Sequence, residues 1–185
     1  MPTIAERKKR ARDSLAGNLH GNSCMKTILT PIDFSRVTQA VVDEAAALAR
    51  AFDGRVVLLH VAQPPVITSD YGLMLENIAQ ITAIAKKAAA RQLARLRAEL
   101  QAGQVPADPV LLTGSPVTII LDQAKKLAAD YIVIGSHGHT AFYDLLIGST
   151  ASGVLKKALC PVIIVPLAKT KKRKSGKRLP AAKEN

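Results

Sequence analysis

Five short runs of β-branched and aliphatic residues, separated by stretches with helical spacing, leave this chain few folds to adopt. The runs are Thr27–Ile32, Arg55–Ala62, Pro109–Thr113, Tyr131–Ile134 and Cys160–Pro166. The second and fourth are almost unbroken in apolar character, which marks strands buried on both faces. Helical patterns fill the intervals, from Val37 to Phe52, Leu73 to Ala102, Val117 to Ala128 and Thr150 to Leu159. In the last of these, Val154, Leu155 and Leu159 share one side. The order is β-α-β-α-β-α-β-α-β. A helix between every pair of strands predicts a parallel sheet covered on both faces, with right-handed crossovers. Ligands of such sheets sit beyond the C-terminal strand ends, where the strand order switches.

Local signals agree with this division. Asp33 or Ser35 can begin the first helix, and Asp53-Gly54 closes it. Pro64-Pro65 breaks the chain after the second strand, leaving 63–72 as a loop that carries Asp70 and Tyr71. Gly114-Ser115-Pro116 turns into the third helix, with proline in its first turn. No internal repeat is visible.

Two strand ends carry chemistry. Asp33 follows the first, and the fourth runs into GSHGHTAFYDLLIGS at 135–149. There Gly135, Gly138 and Gly148-Ser149 lie in a loop that opens a helix. Glycines let backbone approach a ligand closely, and amides at a helix N-terminus favour an anion. Ser149 can cap the helix or donate its hydroxyl to a phosphate. Glycines after a strand are also ordinary turn residues, and Asp33 is also an ordinary helix cap.

Length and charge bound the rest. At 185 residues the chain suits one domain with a proper core. Three Phe, three Tyr and no Trp imply a core of Val, Ile, Leu and Ala. No apolar run approaches the roughly 20 residues that span a bilayer. MPTIAERKKRARD is basic but no apolar h-region follows it, so it does not read as a secretory signal. Cys24 and Cys160 are too few for a disulfide framework, and the simplest setting is a reducing cytoplasm. The net charge of +12 divides into +3 over 1–24, +2 over 25–167 and +7 over 168–185. The folded part is nearly neutral, which argues against a nucleic-acid surface across the domain. We expect 1–24 to be a flexible extension, with Met25 as the authentic start, and 168–185 to be a disordered basic tail.

Taken together, MKTILTPIDFS at 25–35, VVLLHVA at 56–62 and IVIGSHGHTAFYDLLIGSTASGVLKKALCPVIIVP at 132–166 resemble the universal stress protein family, in its ATP-binding branch. The resemblance covers 25–166 and neither tail. It implies an open α/β sandwich with a five-stranded parallel sheet and helices on both faces (adenine nucleotide alpha hydrolase-like). It implies ATP, possibly with Mg²⁺, between the ends of the first and fourth strands. By position, Pro31, Ile32 and Asp33 would line the adenosine end, with Asp33 near the ribose and Val61 against adenine. Gly135, His137 and Gly138 would border ribose and the first phosphates. Gly148, Ser149 and Thr150 would hold the distal phosphates. Some ATP-binding members have a hydroxyl residue where this chain has Ala151, which implies one phosphate contact fewer. Homodimerisation through Val162, Ile163, Ile164 and Val165 is implied as well. The function implied is a nucleotide-dependent stress-response regulator.

Plainer readings stand beside these. His137 and His139 lack the further ligands of a closed zinc site. His60, in an apolar strand, reads as a satisfied structural histidine, and Cys160 as a small packing residue with nothing to activate it. Lys156-Lys157 and the basic residues of 86–97 read as solvated helix faces. There is no P-loop lysine motif, kinase signature set or nucleophile elbow. The expectation is a binding module, with at most slow ATP hydrolysis. The alternative is a nucleotide-independent interaction protein, with weak nucleic-acid contact through the basic tail.

Overall fold

The apolar runs pair into one sheet because a strand that is apolar on both faces must be covered on both. In the computed structural model, residues 25–63, 75–136 and 147–166 are described, with side chains 75–78 excepted. The elements are β1 (Thr27–Pro31), α1 (Thr38–Ala51), β2 (Arg55–Ala62), α2 (Leu75–Ala102), β3 (Ala107–Thr113), α3 (Pro116–Lys126), β4 (Tyr131–Gly135), α4 (Ser149–Lys157) and β5 (Val162–Val165). The strand order is β3-β2-β1-β4-β5, and every pair is parallel. The chain winds outward from β1 to β3, then crosses back past β1 to place β4 and β5. The switch therefore falls between β1 and β4.

Strand alternation divides the core in two. Ile28, Val56, Leu58 and Val133 face Val41, Ala45 and Ala49 of α1 and Leu93, Leu96 and Leu100 of α2. Leu29, Val57, Leu59, Ile132 and Ile134 face Ile120 of α3 and Ala151 and Val154 of α4. The basic residues of α2 and the Lys156-Lys157 pair of α4 are exposed.

Three expectations need correction. Helix α4 ends at Lys157 and not Leu159, which is 93 % exposed, while Val154 is fully buried. Pro161 disfavours helical backbone at Cys160, so the chain turns before another helical turn can form. Strand β3 begins at Ala107, two residues earlier than the apolar run, and tolerates Pro109 because β3 lies at the sheet edge. The left-handed residue closing α1 is Asp53 (φ 48°), with the Gly54 amide donating to Ala49 O at 2.8 Å. Gly54 is needed for a different reason: a Cβ there would lie 2.6 Å from Lys26 O.

Candidate functional site

Strands β1 and β4 are tied at their N-terminal ends and free at their C-terminal ends. Asp130, just before β4, accepts from Lys26 Nζ and from the Thr27 amide, each at 2.8 Å, and its own amide donates to Thr27 O at 2.9 Å. Those hydrogen bonds, the Lys26 one foremost, hold the Asp130 carboxyl below its ordinary pKa. Pairing between the strands then covers only Ile28↔Tyr131 and Leu29↔Ile132, whereas β1 pairs with β2 through Pro31. Past this point β1 leads into α1 on one face, and β4 departs towards α4 on the other. The gap left between them is a cleft of about 320 Å³, within the roughly 300–1,000 Å³ range of small-molecule sites.

One wall comes from β1 and the loop after it. Pro31, Ile32 and Asp33 line it, followed by Val37, Thr38 and Val41 of α1. This loop is held in a shape that local propensity disfavours. Phe34 adopts φ 62°, a left-handed conformation uncommon for a bulky residue. Asp33 Oδ1 accepts from the Ser35 amide at 3.0 Å, forming a local turn and not a helix cap; the N-cap of α1 is Val37. Thus the capping reading of Asp33 and Ser35 does not hold. His60 Nδ1 lies 2.9 Å from Ile32 O, and since a carbonyl only accepts, Nδ1 carries the proton. The Phe34 and His60 rings meet at 4.5 Å between centroids, and the Ile32 amide donates to Leu59 O at 2.9 Å. His60 is therefore a satisfied structural residue that braces the Asp33 loop.

The opposite wall comes from α3, β4 and α4. Pro116 and Ile120 lie beside Ile134, Gly135 and Ser136, and Gly148 to Ala151 complete it. Gly148 is the N-cap of α4, in extended backbone, with its amide donating to Ser136 O at 2.7 Å and its carbonyl accepting from Ser152 N at 2.9 Å. Ser149 is the first helical residue and so does not cap. Leu59, Val61 and Gln63 at the end of β2 close the remaining side.

The cleft's electrostatics come from backbone. Helices α1, α3 and α4 all begin at it, none has a side-chain cap hydrogen bond, and none has an acidic residue in its first turn. Initial amides of a helix lack intrahelical partners and carry the positive end of the dipole. Among the described lining residues there is no Lys or Arg, and Asp33 is the one ionisable side chain. Such a site favours a ligand with negative charge at the helix ends and an apolar portion against Ile32, Val61 and Ile120.

Of the candidate residues, Pro31, Ile32, Asp33, Val61, Gly135, Gly148, Ser149 and Thr150 all line this cleft. His137, Gly138 and His139 lie outside the described residues, as do Asp70, Tyr71, Cys24 and both tails. Sequence reasoning missed Thr38, Gln63, Pro116, Ile120 and Ser136. The usable signal was topological: each helix after β1, β3 and β4 begins at the C-terminal edge of the sheet. Cys160 is half-buried, and burial, reinforced by the Asp130 charge, pushes its thiol pKa up, which leaves it unactivated.

A parallel doubly wound sheet with a helix-ended cleft at its switch point is the architecture of an α/β ligand-binding domain. The sequence model of the universal stress protein family matches residues 25–166, and the chain belongs to that family. It is 30 % identical over 147 residues to the universal stress protein MJ0531 of Methanocaldococcus jannaschii, covering 79 % of this chain and 85 % of that one. It is 32 % identical over 145 residues to the universal stress protein A homolog 1 of Coxiella burnetii, covering 76 % and 95 %. Among solved structures, MJ0577 superposes with a TM-score of 0.66 at 26 % identity, over 78 % of this chain and 98 % of that one. UspA of Lactobacillus plantarum superposes with a TM-score of 0.62 at 24 % identity, over 78 % and 99 %.

Proposed function

We propose that this chain is an ATP-binding universal stress protein, a regulator whose nucleotide state alters the shape of its dimer or its choice of partner. The observation that carries the reading is one cleft at the switch point, lined by all eight described candidate residues and faced by three uncapped helix N-termini. Adenine packs on Val61, ribose lies by Asp33 and Gly135, and the phosphate chain runs towards the amides and hydroxyls of Gly148, Ser149 and Thr150. Ala151, in the same wall, is buried and contributes no hydroxyl. Mg²⁺ would accompany the phosphates, with the Asp33 carboxylate as its nearest anionic protein group.

Two proteins of this fold have been solved with adenine nucleotides, one with cAMP and one with dAMP, at 22 % and 23 % identity. A homodimer through β5 completes the proposal. The strand is a half-buried sheet edge that leaves backbone groups to be paired. No helix among the described residues is long and apolar enough to cross a membrane, and the low cysteine count fits a cytoplasmic setting.

Heat release and chromatography of the purified protein test the reading, backed by calorimetric titration with ATP. Bound adenine nucleotide, or saturable ATP binding by nucleotide-free protein, is expected. Neither being found would overturn it. The charge partition favours one further activity, in which the +7 of residues 168–185 contacts nucleic-acid phosphates. Binding of that kind is weak, sequence-independent and steeply reduced by salt. Deleting 168–185 should abolish DNA or RNA retention at low salt without changing ATP affinity. Retention by the truncated protein would place the contact on the folded domain.

A further inference from the structure

Two buried hydroxyls at the start of α1 have no use in the fold. Ser35 Oγ and Thr38 Oγ1 are both buried without a hydrogen-bond partner among the described residues. Burying a hydroxyl unpaired costs free energy, and native structures pair the great majority of such groups. Thr38 is only 9 % exposed, yet it lines the cleft. It is also the first helical residue of a 14-residue helix with no side-chain cap hydrogen bond and no acidic residue in its first turn. An orphaned donor therefore coincides with an uncapped helix N-terminus, on the wall opposite Gly148–Thr150. The nearest charge on that wall is Asp33, and one of its carboxylate oxygens is already engaged by the Ser35 amide.

We infer that Thr38 is a specificity-determining residue that donates a hydrogen bond to a phosphate oxygen of the bound nucleotide. The inference rests on the nucleotide-binding reading above and adds to it a second anion-holding position, at the N-terminus of α1. Rotation about χ1 exchanges the positions around Cβ, so the hydroxyl can turn into the cleft when an acceptor arrives. A monophosphate held at the α4 end leaves this position empty, whereas a phosphate chain can reach both helix ends. The Thr38 wall thus selects nucleotides with a phosphate chain over monophosphates. The unpaired hydroxyl in the empty cleft is the stability cost of that selection.

Calorimetric titration of the full chain with ATP and with AMP, for wild type, Thr38→Val and Thr38→Ser, tests this. Valine keeps the shape and removes the donor. A hydrogen bond to a charged group supports an expected ATP loss of about tenfold in Thr38→Val. AMP affinity should change less than about twofold, and Thr38→Ser should stay close to wild type. The nucleotide-free Thr38→Val protein should melt no lower than wild type, because an unsatisfied polar group has been replaced by an apolar one. Equal losses for ATP and AMP, or no loss for ATP, overturn the inference while leaving nucleotide binding intact. A lower melting temperature with unchanged ATP affinity assigns the hydroxyl a purely structural role and also overturns it. Wild type that binds neither nucleotide defeats the functional reading itself, and this inference with it. If Thr38→Val does not fold, Thr38→Ala carries the same comparison.

Discussion

Gly153 of α4 offers a sharp test of how closely the cleft's walls are held. A Cβ at this position would lie 2.8 Å from Val117 Cγ2 and 3.2 Å from Val117 Cγ1 of α3. Ordinary carbon contacts are roughly 3.5–4.0 Å, so Gly153→Ala demands about 0.7 Å or more of separation between the helices. Val117 does not yield easily, since a β-branched side chain in a helix has one strongly preferred rotamer. Overpacking of this kind costs about 1–3 kcal/mol. Replacing a helical Gly by Ala contributes roughly 1 kcal/mol in the opposite direction. The expected net change is a loss of about 0–2 kcal/mol, a value that on its own decides little. The decisive quantity is the coupling with Val117→Ala, which removes both offending methyl groups. In the double variant the clash disappears, so a favourable coupling of about 1–3 kcal/mol is expected from denaturant unfolding of the four proteins. Each helix enters the cleft within a few residues of this contact, at Pro116 and at Gly148 to Ala151. Gly153→Ala should therefore also weaken ATP binding, and the double variant should restore it. Zero coupling, or a Gly153→Ala protein more stable than wild type by the whole helix-propensity gain, would refute this packing.

Gly148→Val is expected to abolish ATP binding while the protein still folds, because a branched side chain at the N-cap of α4 stands where backbone and phosphate meet; unchanged calorimetric affinity would contradict this. The Asp130 carboxyl titrates below 3.8 in the folded state, so its contribution is present above that pH and is lost as pH falls through the lower folded value. Asp130→Asn should reduce stability at neutral pH and flatten the decline on the acid side of pH 4, as read from denaturation midpoints across pH. Light scattering should give twice the chain mass, and a charged residue in place of Ile163 should shift the mass towards the monomer; a concentration-independent monomer in the unsubstituted protein would exclude β5 pairing.

The element order was legible because it depends on local chemistry. Unbroken apolar runs such as Val56–Leu59 fit only buried strands, and Pro116 and Asp53-Gly54 marked helix ends where backbone geometry requires such residues. The parallel sheet followed, since every strand pair is separated by a helix. Within the site, Asp33, Gly135 and Gly148 stood out because loop glycines and a carboxylate at a strand end have few structural uses. Leu159 was misread because helical periodicity continues past the point where Pro161 disfavours the helix.

Only the tertiary structure decided the rest. That β1 and β4 become neighbours, clamped at Asp130 and parted beyond Leu29, depends on a crossover between residues about a hundred positions apart, and no local pattern encodes it. The strained turn at Phe34, braced by His60 from the adjacent strand, is likewise a product of packing. Thr38 looked like one more polar residue at the head of an amphipathic helix. Its hydroxyl became conspicuous only when the fold buried it beside the cleft and supplied no partner, because an unmet hydrogen bond is a property of surroundings and not of sequence.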